Sequence, residues 1–443
     1  MESKDILVNG LSGLVNIGNT CYMNASLQCL CANNLFISYL IKKKFVTPLC
    51  DNIVDKLGEA ERSKRRKLNK DPVDDDISIY IKDVKKEYYT SLVYAIYKLF
   101  KTMWKGNTRV TPKTFKHRLG EVSNTFMGFK HQDAHEFINC ILDRIHEETK
   151  MDVIIQYINM PKEISNYITK RKELLEKISA EILDISYYNT FIKSHQREET
   201  IYKSLEYWSG YVKKNHSIII DLFTGLFSSE IICSVCNNKS INFEPFNILP
   251  LSIPYTKDKL ITLDDCLDNF SKSEILTGDN AYKCECCNNY VDATKNMYLW
   301  DLPELLVIQL KRFSNIGKKT MKNDVMIKFP FENLTFEKNY HEFRKRDYSY
   351  DLYGVVYHMG NLNGGHYIAF TKNLINRKWY RFDDSTVSHI PDEYIENELY
   401  KDGSYILFYK KKFIQTDLID LTDLTDLTEE EKIELDFTSE EDV

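Results

Sequence analysis

The order of hydrophobic and polar positions divides the chain into a helical first half and a strand-rich second half. Apolar residues recur at helical spacing over residues 21–40, 87–103 and 132–148, as amphipathic helices require. Residues 151–216 are charged and helix-prone, whereas residues 41–77 are interpreted as a loop. In the second half, short β-branched and aromatic runs alternate with Gly, Pro, Asn and Asp, which predicts antiparallel strands. The predicted strands cover residues 227–233, 248–253, 305–310, 352–358, 366–371, 378–382 and 405–409. Helices followed by strands indicate an α+β fold.

Composition and charge argue against several classes of protein. With 43% hydrophobic and 13% aromatic residues, the 443-residue chain can bury several cores, which excludes global disorder. Residues 413–443 carry a net charge of −11, which leaves +5 for residues 1–412 of the total of −6. This balance gives no reason to expect nucleic-acid binding, and no apolar run reaches the ~18 residues of a membrane span. We predict an N-terminal lead over residues 1–12, a catalytic domain over residues 13–412 with inserts at 41–77 and 151–216, and an acidic disordered tail.

The cysteines indicate the cellular compartment. There are 11 of them, an odd and clustered set, which suits a reducing cytoplasmic or nuclear environment better than a disulfide framework. The first ten residues lack the long apolar stretch of a signal peptide. Five basic residues within positions 62–67 are interpreted either as a nuclear-import signal or as a solvated loop.

Cys21 is the candidate nucleophile because it stands at the predicted start of a helix. Unpaired backbone N–H groups and the positive end of the helix dipole there favour the thiolate, which is the attacking species. Gly18 lets the preceding turn tighten, and Asn16 carries an amide that can reach the oxygen of a tetrahedral intermediate. A lone cysteine is ordinarily a small buried hydrophobe, so this interpretation requires a base.

His366 is the candidate base because of the residues around it. Gly364 and Gly365 precede it and leave the backbone open to close approach by a substrate chain. The next predicted strand ends in Asp383 and Asp384. Neighbouring antiparallel strands would place an aspartate beside the imidazole, where it fixes the tautomer and stabilises the imidazolium.

Two CxxC pairs predict a structural metal site in the region of residues 225–300. In a reducing compartment such paired knuckles favour tetrahedral zinc. Four reduced thiols are the alternative, and Cys286 could compete with Cys287 as a ligand. The predicted ligands are Cys233, Cys236, Cys284 and Cys287.

These residues together resemble the ubiquitin-specific proteases. Residues 18–24 (GNTCYMN) and 365–367 (GHY) resemble the cysteine and histidine boxes of that family, and residues 132–137, 302–313, 382–385 and 405–409 continue the resemblance in the family's order. The resemblance implies a papain-like fold with thumb, palm and zinc-stapled fingers. It also implies hydrolysis of the isopeptide bond after ubiquitin's C-terminal glycine, through an acyl-thioester and without a redox cofactor.

The resemblance also implies the roles of particular residues. By it, Cys21 is the nucleophile, His366 the base, Asp383 its orienter and Asn16 the oxyanion donor, while Asp384 matches a second acid that assists in some members. The predicted ubiquitin-contacting residues are Gln132, Asp133, Glu136, Phe137, Gly364 and Gly365. The first three of these are expected to project from the face of helix 132–148 that lies opposite its apolar stripe.

Two alternative functions compete with an active deubiquitinase. One is a catalytically silent ubiquitin-binding scaffold, against which the complete set of catalytic residue types argues. The other is a protease for another ubiquitin-like modifier such as SUMO. It is suggested by Ile419–Thr422 in the tail, which resembles a SUMO-interaction motif and could add a strand to a sheet edge. A solvated acidic tail is the competing interpretation of that segment.

Overall fold

The structure, a computed structural model, describes residues 9–68, 77–157, 160–255, 260–316, 319–360 and 364–412. The predicted acidic tail, including its SUMO-interaction motif, lies outside these residues. The helices are α1 (Cys21–Cys31), α2 (Asn34–Ile41), α3 (Val46–Leu68), α4 (Ile77–Thr90), α5 (Leu92–Lys105), α6 (Lys113–Val122), α7 (Ala134–Thr149), α8 (Lys162–Ser179), α9 (Ile185–Ser194), α10 (Gln196–Val212), α11 (Ile218–Phe223), α12 (Leu263–Phe270) and α13 (Ile395–Leu399).

The strands lie mainly in the second half of the chain, as the sequence predicts. They are β1 (Gly13–Leu14), β2 (Arg109–Val110), β3 (Gly225–Cys233), β4 (Lys239–Phe246), β5 (Ile248–Ser252), β6 (Leu260–Thr262), β7 (Glu274–Leu276), β8 (Tyr282–Cys284), β9 (Asn289–Val291), β10 (Ala293–Asp301), β11 (Leu305–Lys311), β12 (Phe313–Ile316), β13 (Lys319–Lys322), β14 (Met326–Lys328), β15 (Tyr350–Met359), β16 (His366–Lys372), β17 (Trp379–Asp383), β18 (Thr386–Ile390) and β19 (Ser404–Lys411). Helices and antiparallel strands of this kind confirm the α+β prediction.

The chain forms two compact units, one of which contains Met1–Lys150 and Tyr353–Val443. In this unit, hydrogen-bonded strands run in the order β18-β17-β16-β15-β19. The β15–β16, β16–β17 and β17–β18 pairs are antiparallel. Strands β16 and β17 bring His366 and Asp383 to the same end of this sheet.

Helix α1 is buried at every position, although it contains polar residues. Ser26 bonds to the Tyr22 carbonyl within the helix, and two others find backbone partners in the segment that precedes it. The Asn24 side chain donates to the Leu14 carbonyl at 3.2 Å, and the Gln28 side chain donates to the Ser12 carbonyl at 2.8 Å. Buried polar groups are tolerated only when they are hydrogen-bonded in this way, so the pairs tie α1 to the segment that leads into it.

The second unit, Met151–Leu352, contains α8 to α12 and the antiparallel sheet β4-β3-β10-β7. Its core includes Ile164, Ile201, Leu226, Phe243 and Trp300. The Phe243 and Trp300 rings meet edge to face with centroids 4.9 Å apart, a favourable aromatic geometry. The knuckle cysteines lie at the ends of β3 and β8 and in the turns that follow these strands.

All seven strands predicted from alternation are confirmed, and so are the helical character of residues 151–216 and the helix at 132–148. The single helix predicted over residues 21–40 is wrong, because Asn33 accepts hydrogen bonds from the Leu35 and Phe36 amides and so begins α2. In the same way Ser91 caps α5 and divides the helix predicted over 87–103.

The loop predicted over residues 41–77 is also wrong, because α3 occupies most of its described part. Its charged residues are good helix formers, and its first turns carry a short apolar stripe, in which Leu49 and Ile53 are buried four residues apart. The side chains of the basic run at 62–67 lie outside the described residues, so nuclear import stays a prediction. Within the portions of the chain that can be described, no helix is both long and apolar enough to cross a membrane.

Candidate active site and metal centre

The turn before Cys21 is built by the Asn16 side chain. Its carbonyl oxygen accepts hydrogen bonds from the Gly18 and Thr20 amides, each at 3.1 Å. Gly18 has a φ of +119°, and a Cβ there would lie 2.7 Å from the Phe129 ring, so only glycine fits. The turn delivers Cys21 as the first residue of α1, with its side chain 3% exposed.

His366 is the first residue of β16 and lies between the thiol and an acid. Its Nε2 donates to Asp383 Oδ1 at 2.7 Å, and its side chain also forms a hydrogen bond with Cys21. The ring nitrogen left for the sulfur is Nδ1. Contact with Cys21, and secondarily with Asp383, raises the pKa of His366 to about 9, although burial acts in the opposite direction. The surroundings therefore favour the imidazolium.

The two adjacent aspartates face different partners. Asp383 ends β17, whereas Asp384 adopts a φ of +49° in the turn to β18, a conformation that aspartate tolerates. The turn directs the Asp384 carboxylate away from the strand: Oδ2 accepts from Asn16 Nδ2 at 3.0 Å, and Oδ1 accepts from Asn24 Nδ2 at 2.8 Å. Asp384 thus holds the Asn16 side-chain amide, which the resemblance implies is the oxyanion donor.

A close backbone contact fixes this turn beside α1. The Leu14 amide donates to the Asp384 carbonyl at 2.8 Å. Gly13 lies against the next residue, since a Cβ at Gly13 would be 2.5 Å from the Ser385 carbonyl oxygen. Because backbone meets backbone without an intervening side chain, the segment before Cys21 and the turn after Asp383 are held in register.

Sequence reasoning missed Arg381. Its Nη2 donates to Asp383 Oδ2 at 2.8 Å, so the acid bonds to an arginine as well as to the histidine. A signal existed, because Arg381 stands two residues before Asp383 in a predicted strand. Residues at that spacing project from one face of a strand.

The expected projection of Gln132 and Asp133 from a helix face is wrong, because α7 begins only at Ala134. Asp133 instead caps the helix: its carboxylate accepts the His135 and Glu136 amides at 2.7 and 3.3 Å. The Tyr367 and Tyr405 hydroxyls also donate to it, at 3.3 and 2.9 Å. Asp133 therefore links the start of α7 to strands β16 and β19.

The other predicted contact residues differ in exposure. Gln132 donates to the Thr125 carbonyl at 2.7 Å, and Glu136 is exposed. Gly364 is exposed and Gly365 half-buried immediately before His366.

Phe137 is fully buried, so the prediction that it contacts ubiquitin is wrong. Its ring packs edge to face on Tyr22 at 5.7 Å and on Phe126 at 5.8 Å. Tyr22 follows Cys21 directly, so Phe137 supports the helix turn that carries the thiol.

The four predicted metal ligands converge. The sulfurs of Cys233, Cys236, Cys284 and Cys287 all lie within 4.8 Å of one another. Two of the sulfur pairs are 3.8 and 3.7 Å apart. A tetrahedral Zn²⁺ with Zn–S bonds of about 2.3 Å places its sulfurs about 3.8 Å apart, so the four thiols fit such an ion.

The two knuckles share one local geometry. The Val235 and Cys236 amides point at Cys233 Sγ, as the Cys287 amide points at Cys284 Sγ. Hydrogen bonds from the Cys236 and Val235 amides lower the pKa of Cys233, which favours the thiolate that metals bind, whereas the neighbouring thiols raise the pKa of Cys287.

A left-handed asparagine follows the second cysteine of each knuckle, Asn237 in one and Asn288 in the other. Asn288 follows Cys287, so this repeat identifies Cys287 as the second cysteine of its knuckle. Cys286 is exposed and is not part of the four-cysteine group.

Comparison with known proteins agrees with this geometry. The family model described as ubiquitin carboxyl-terminal hydrolase matches residues 12–409. A probable ubiquitin carboxyl-terminal hydrolase of Acanthamoeba polyphaga mimivirus is 30% identical over 437 residues, which cover 93% of this chain and 91% of that protein. Ubiquitin carboxyl-terminal hydrolase Usp2 of Drosophila melanogaster and hydrolase 2 of Homo sapiens are each 28% identical over 93% of this chain. The chain spans only 36% and 56% of the length of those two relatives.

Solved structures show the same similarity. The SAGA DUB module of Ubp8, Sgf11, Sus1 and Sgf73 bound to monoubiquitin contains a chain that aligns with a TM-score of 0.61 and 26% identity, over 92% of this chain and 70% of that one. The module bound to ubiquitin aldehyde gives a TM-score of 0.59 at 26% identity, over 94% and 72%.

Proposed function

The chain belongs to the ubiquitin carboxyl-terminal hydrolase family, and we propose that it is a thiol deubiquitinase that uses Cys21 as its nucleophile. The observation that carries this proposal is the row Cys21–His366–Asp383, in which one imidazole bonds to a thiol at a helix start and to a carboxylate. This row supplies nucleophile, base and orienter. The substrates are ubiquitin conjugates or polyubiquitin cleaved after the C-terminal glycine.

Acylation begins with the thiolate–imidazolium pair. The sulfur attacks the carbonyl carbon, a C–S bond forms, and the π electrons move to the oxygen. When the tetrahedral intermediate collapses, the C–N bond breaks and the leaving amine takes the proton from His366 Nδ1. Asp383 holds the ring in the orientation that this transfer needs.

Deacylation reverses the role of the histidine. The now neutral imidazole accepts a proton from water as the water oxygen bonds to the thioester carbon. The C–S bond then breaks, the ubiquitin C-terminal carboxylic acid leaves and gives its proton to solvent, and the thiolate and imidazolium are restored. Asp383 keeps the same contact throughout and remains ionised.

Asn16 provides the oxyanion donor in this proposal. One N–H of its amide is engaged by Asp384, which fixes the amide plane, and a second N–H remains for the developing negative charge. Asn24 fixes the other oxygen of Asp384. Preorganised donors of this kind need no rearrangement when charge develops.

Asn16→Ala is expected to lower kcat by about 10²- to 10³-fold, with a smaller change in KM, because the oxyanion exists only near the transition state. Steady-state hydrolysis of a fluorogenic ubiquitin conjugate measures both constants. Because Asn16 also bonds to the Gly18 and Thr20 amides, the melting temperature of the variant must be compared with that of the wild type. A rise in KM as large as the fall in kcat would contradict the oxyanion role.

The activity is expected to decline as pH rises through about 9, the pKa of His366, because the leaving amine then lacks its proton donor. The pKa is raised above its ordinary 6.5, so the stability gained from the charged ring is complete below that value and is lost toward the higher one. Profiles of kcat/KM against pH measure this alkaline limb. Asp383→Asn should move the alkaline limb to lower pH. An unchanged limb in this variant would refute the conclusion that contact with Asp383 raises the pKa of His366.

We propose that the four-cysteine group holds a structural zinc ion. The sulfur spacing and the thiolate-favouring amides support this assignment. When bound, the ion would cross-link the β3–β4 turn to the β8–β9 turn. The Ser234 amide and hydroxyl already join the first knuckle to the residue between β9 and β10, through the Asp292 carbonyl at 3.1 and 2.7 Å.

Reaction with a ubiquitin C-terminal electrophile tests the proposed function directly. An adduct at Cys21 is expected, and a protein that binds ubiquitin without forming one would be the silent scaffold. Side-by-side hydrolysis of ubiquitin and SUMO fluorogenic conjugates distinguishes a deubiquitinase from a protease for another ubiquitin-like modifier such as SUMO. The exposed Glu136 and the Gly364–Gly365 backbone remain proposed contacts for the ubiquitin tail.

A further inference from the structure

The acid beside His366 has two partners, and each occupies a different oxygen. Asp383 Oδ1 accepts from His366 Nε2 at 2.7 Å, while Oδ2 accepts from Arg381 Nη2 at 2.8 Å. A carboxylate held at one oxygen only can rotate about its Cβ–Cγ bond. With Oδ2 anchored, that rotation is blocked and Oδ1 faces the imidazole.

We propose that Arg381 is a positioning residue of the active site, which holds the Asp383 carboxylate toward His366. The inference rests on the proposed function, because it assigns a role within the same site. It adds Arg381 to the active site on the basis of its contact with Asp383.

The position of Arg381 on its strand makes the contact persistent. Arg381 and Asp383 are separated by one residue in β17, and side chains at that spacing lie on one face. Phe382 between them is buried and fixes the strand, so neither partner needs a rare backbone conformation to reach the other. The ion pair is therefore local and independent of loop closure.

The geometry also defines what the contact requires. Arg381 reaches the acid through Nη2, whereas its Nε is buried without a hydrogen-bond partner. A contact through a single nitrogen requires a positively charged group at the right distance from the carboxylate. It does not require the two parallel N–H donors that a guanidinium can offer. Lysine should therefore substitute for Arg381, and an uncharged side chain of similar length should not.

The charge of Arg381 opposes that of the acid at the imidazole. Among the residues that the structure describes, the charged or titratable groups that contact His366 or lie beside it include Cys21, Asp383, Asp384 and, through Asp383, Arg381. Cys21 and Asp383 favour the imidazolium, while a guanidinium next to Asp383 offsets part of its negative charge. Removing the guanidinium ends this offset, but it also frees the Asp383 carboxylate to turn away from the ring, which weakens the contact that favours the imidazolium.

Exposure sets the size of the effect. The Arg381 and Asp383 side chains are 38% and 35% exposed, so solvent screens their attraction. We expect Arg381→Met to lower kcat by about three- to tenfold with KM nearly unchanged. Because Asp383 bonds to the ring directly and the guanidinium acts on it only through the acid, the alkaline limb should move to lower pH, by less than in Asp383→Asn. A purely structural role would leave the limb in place.

The test compares Arg381→Met, Arg381→Lys and a control, Lys378→Met, in the full chain with a fluorogenic ubiquitin conjugate over a range of pH. Lys378 is an exposed neighbour in the same hairpin, so the control removes the same charge. The inference predicts that Arg381→Lys restores most of kcat and that Lys378→Met behaves as the wild type. A raised KM with unchanged kcat in Arg381→Met would make Arg381 a substrate contact and overturn the inference.

The failure of this inference is distinguishable from that of the proposed function. A wild-type protein that forms no adduct with the ubiquitin electrophile would refute the function. Normal wild-type labelling, with an unchanged kcat and an unmoved alkaline limb in Arg381→Met, would refute the positioning role alone.

Discussion

Cys21→Ala should reduce hydrolysis of a fluorogenic ubiquitin conjugate by about 10⁴- to 10⁶-fold, the loss typical of removing a covalent nucleophile. The thiol is 3% exposed at the first position of α1, and alanine fits there without a clash. The fold and the ubiquitin-binding surface should therefore survive. Steady-state kinetics measures the loss, and titration with ubiquitin measures the retained affinity.

Cys31→Ala is the matched control for this variant. Cys31 is the last residue of the same helix and is buried, and burial raises the pKa of its thiol far above the ordinary range. Its removal should leave kcat close to that of the wild type. Turnover by Cys21→Ala at about a hundredth of the wild-type rate or more would remove Cys21 from its proposed role.

Loss of the proposed zinc ion should have the largest effect on stability. Cys233→Ser removes one ligand of the four-sulfur group, and structural zinc sites contribute several kcal/mol to folding. The melting temperature is expected to fall by about 10 °C, and bound zinc, measured by elemental analysis, should fall from one ion per chain to a small fraction of that.

Cys286→Ser provides the control, because Cys286 is exposed and adjacent to Cys287 but outside the sulfur group. It should keep both the zinc content and the melting temperature of the wild type. A wild-type protein that binds no zinc, together with a Cys233→Ser variant of unchanged melting temperature, would refute the metal site.

The sequence predicted those parts of the fold whose signal is local. Strand alternation located β16 and β17, and therefore the end of the sheet at which His366 and Asp383 meet. Helix boundaries were less predictable where one capping side chain decides them, as at Asn33 and Ser91. The helix α3 was missed because its apolar stripe, in which Leu49 and Ile53 are buried, is short, and the charged residues that follow show no apolar period.

The site shows the same division between local and non-local information. The position of Cys21 at a helix start follows from nearby residues, and so does the tight turn at Gly18. The contacts of Asp133 with Tyr367 and Tyr405 join residues that are far apart in sequence, so no periodic pattern could predict them. The burial of Phe137 could have been predicted, since it belongs to the apolar stripe of its helix.

The carboxylate of Asp133 limits which substitutions the chain can accept at this position. It receives four donors, two backbone amides of α7 and the hydroxyls of Tyr367 and Tyr405. Asparagine can receive both amides at its single oxygen and offer its NH2 to the hydroxyls, which then accept, whereas glutamate is one methylene too long for the cap. Position 133 is therefore expected to accept asparagine with a modest loss of stability, and to reject glutamate and apolar residues, which cannot serve both the helix start and the two hydroxyls.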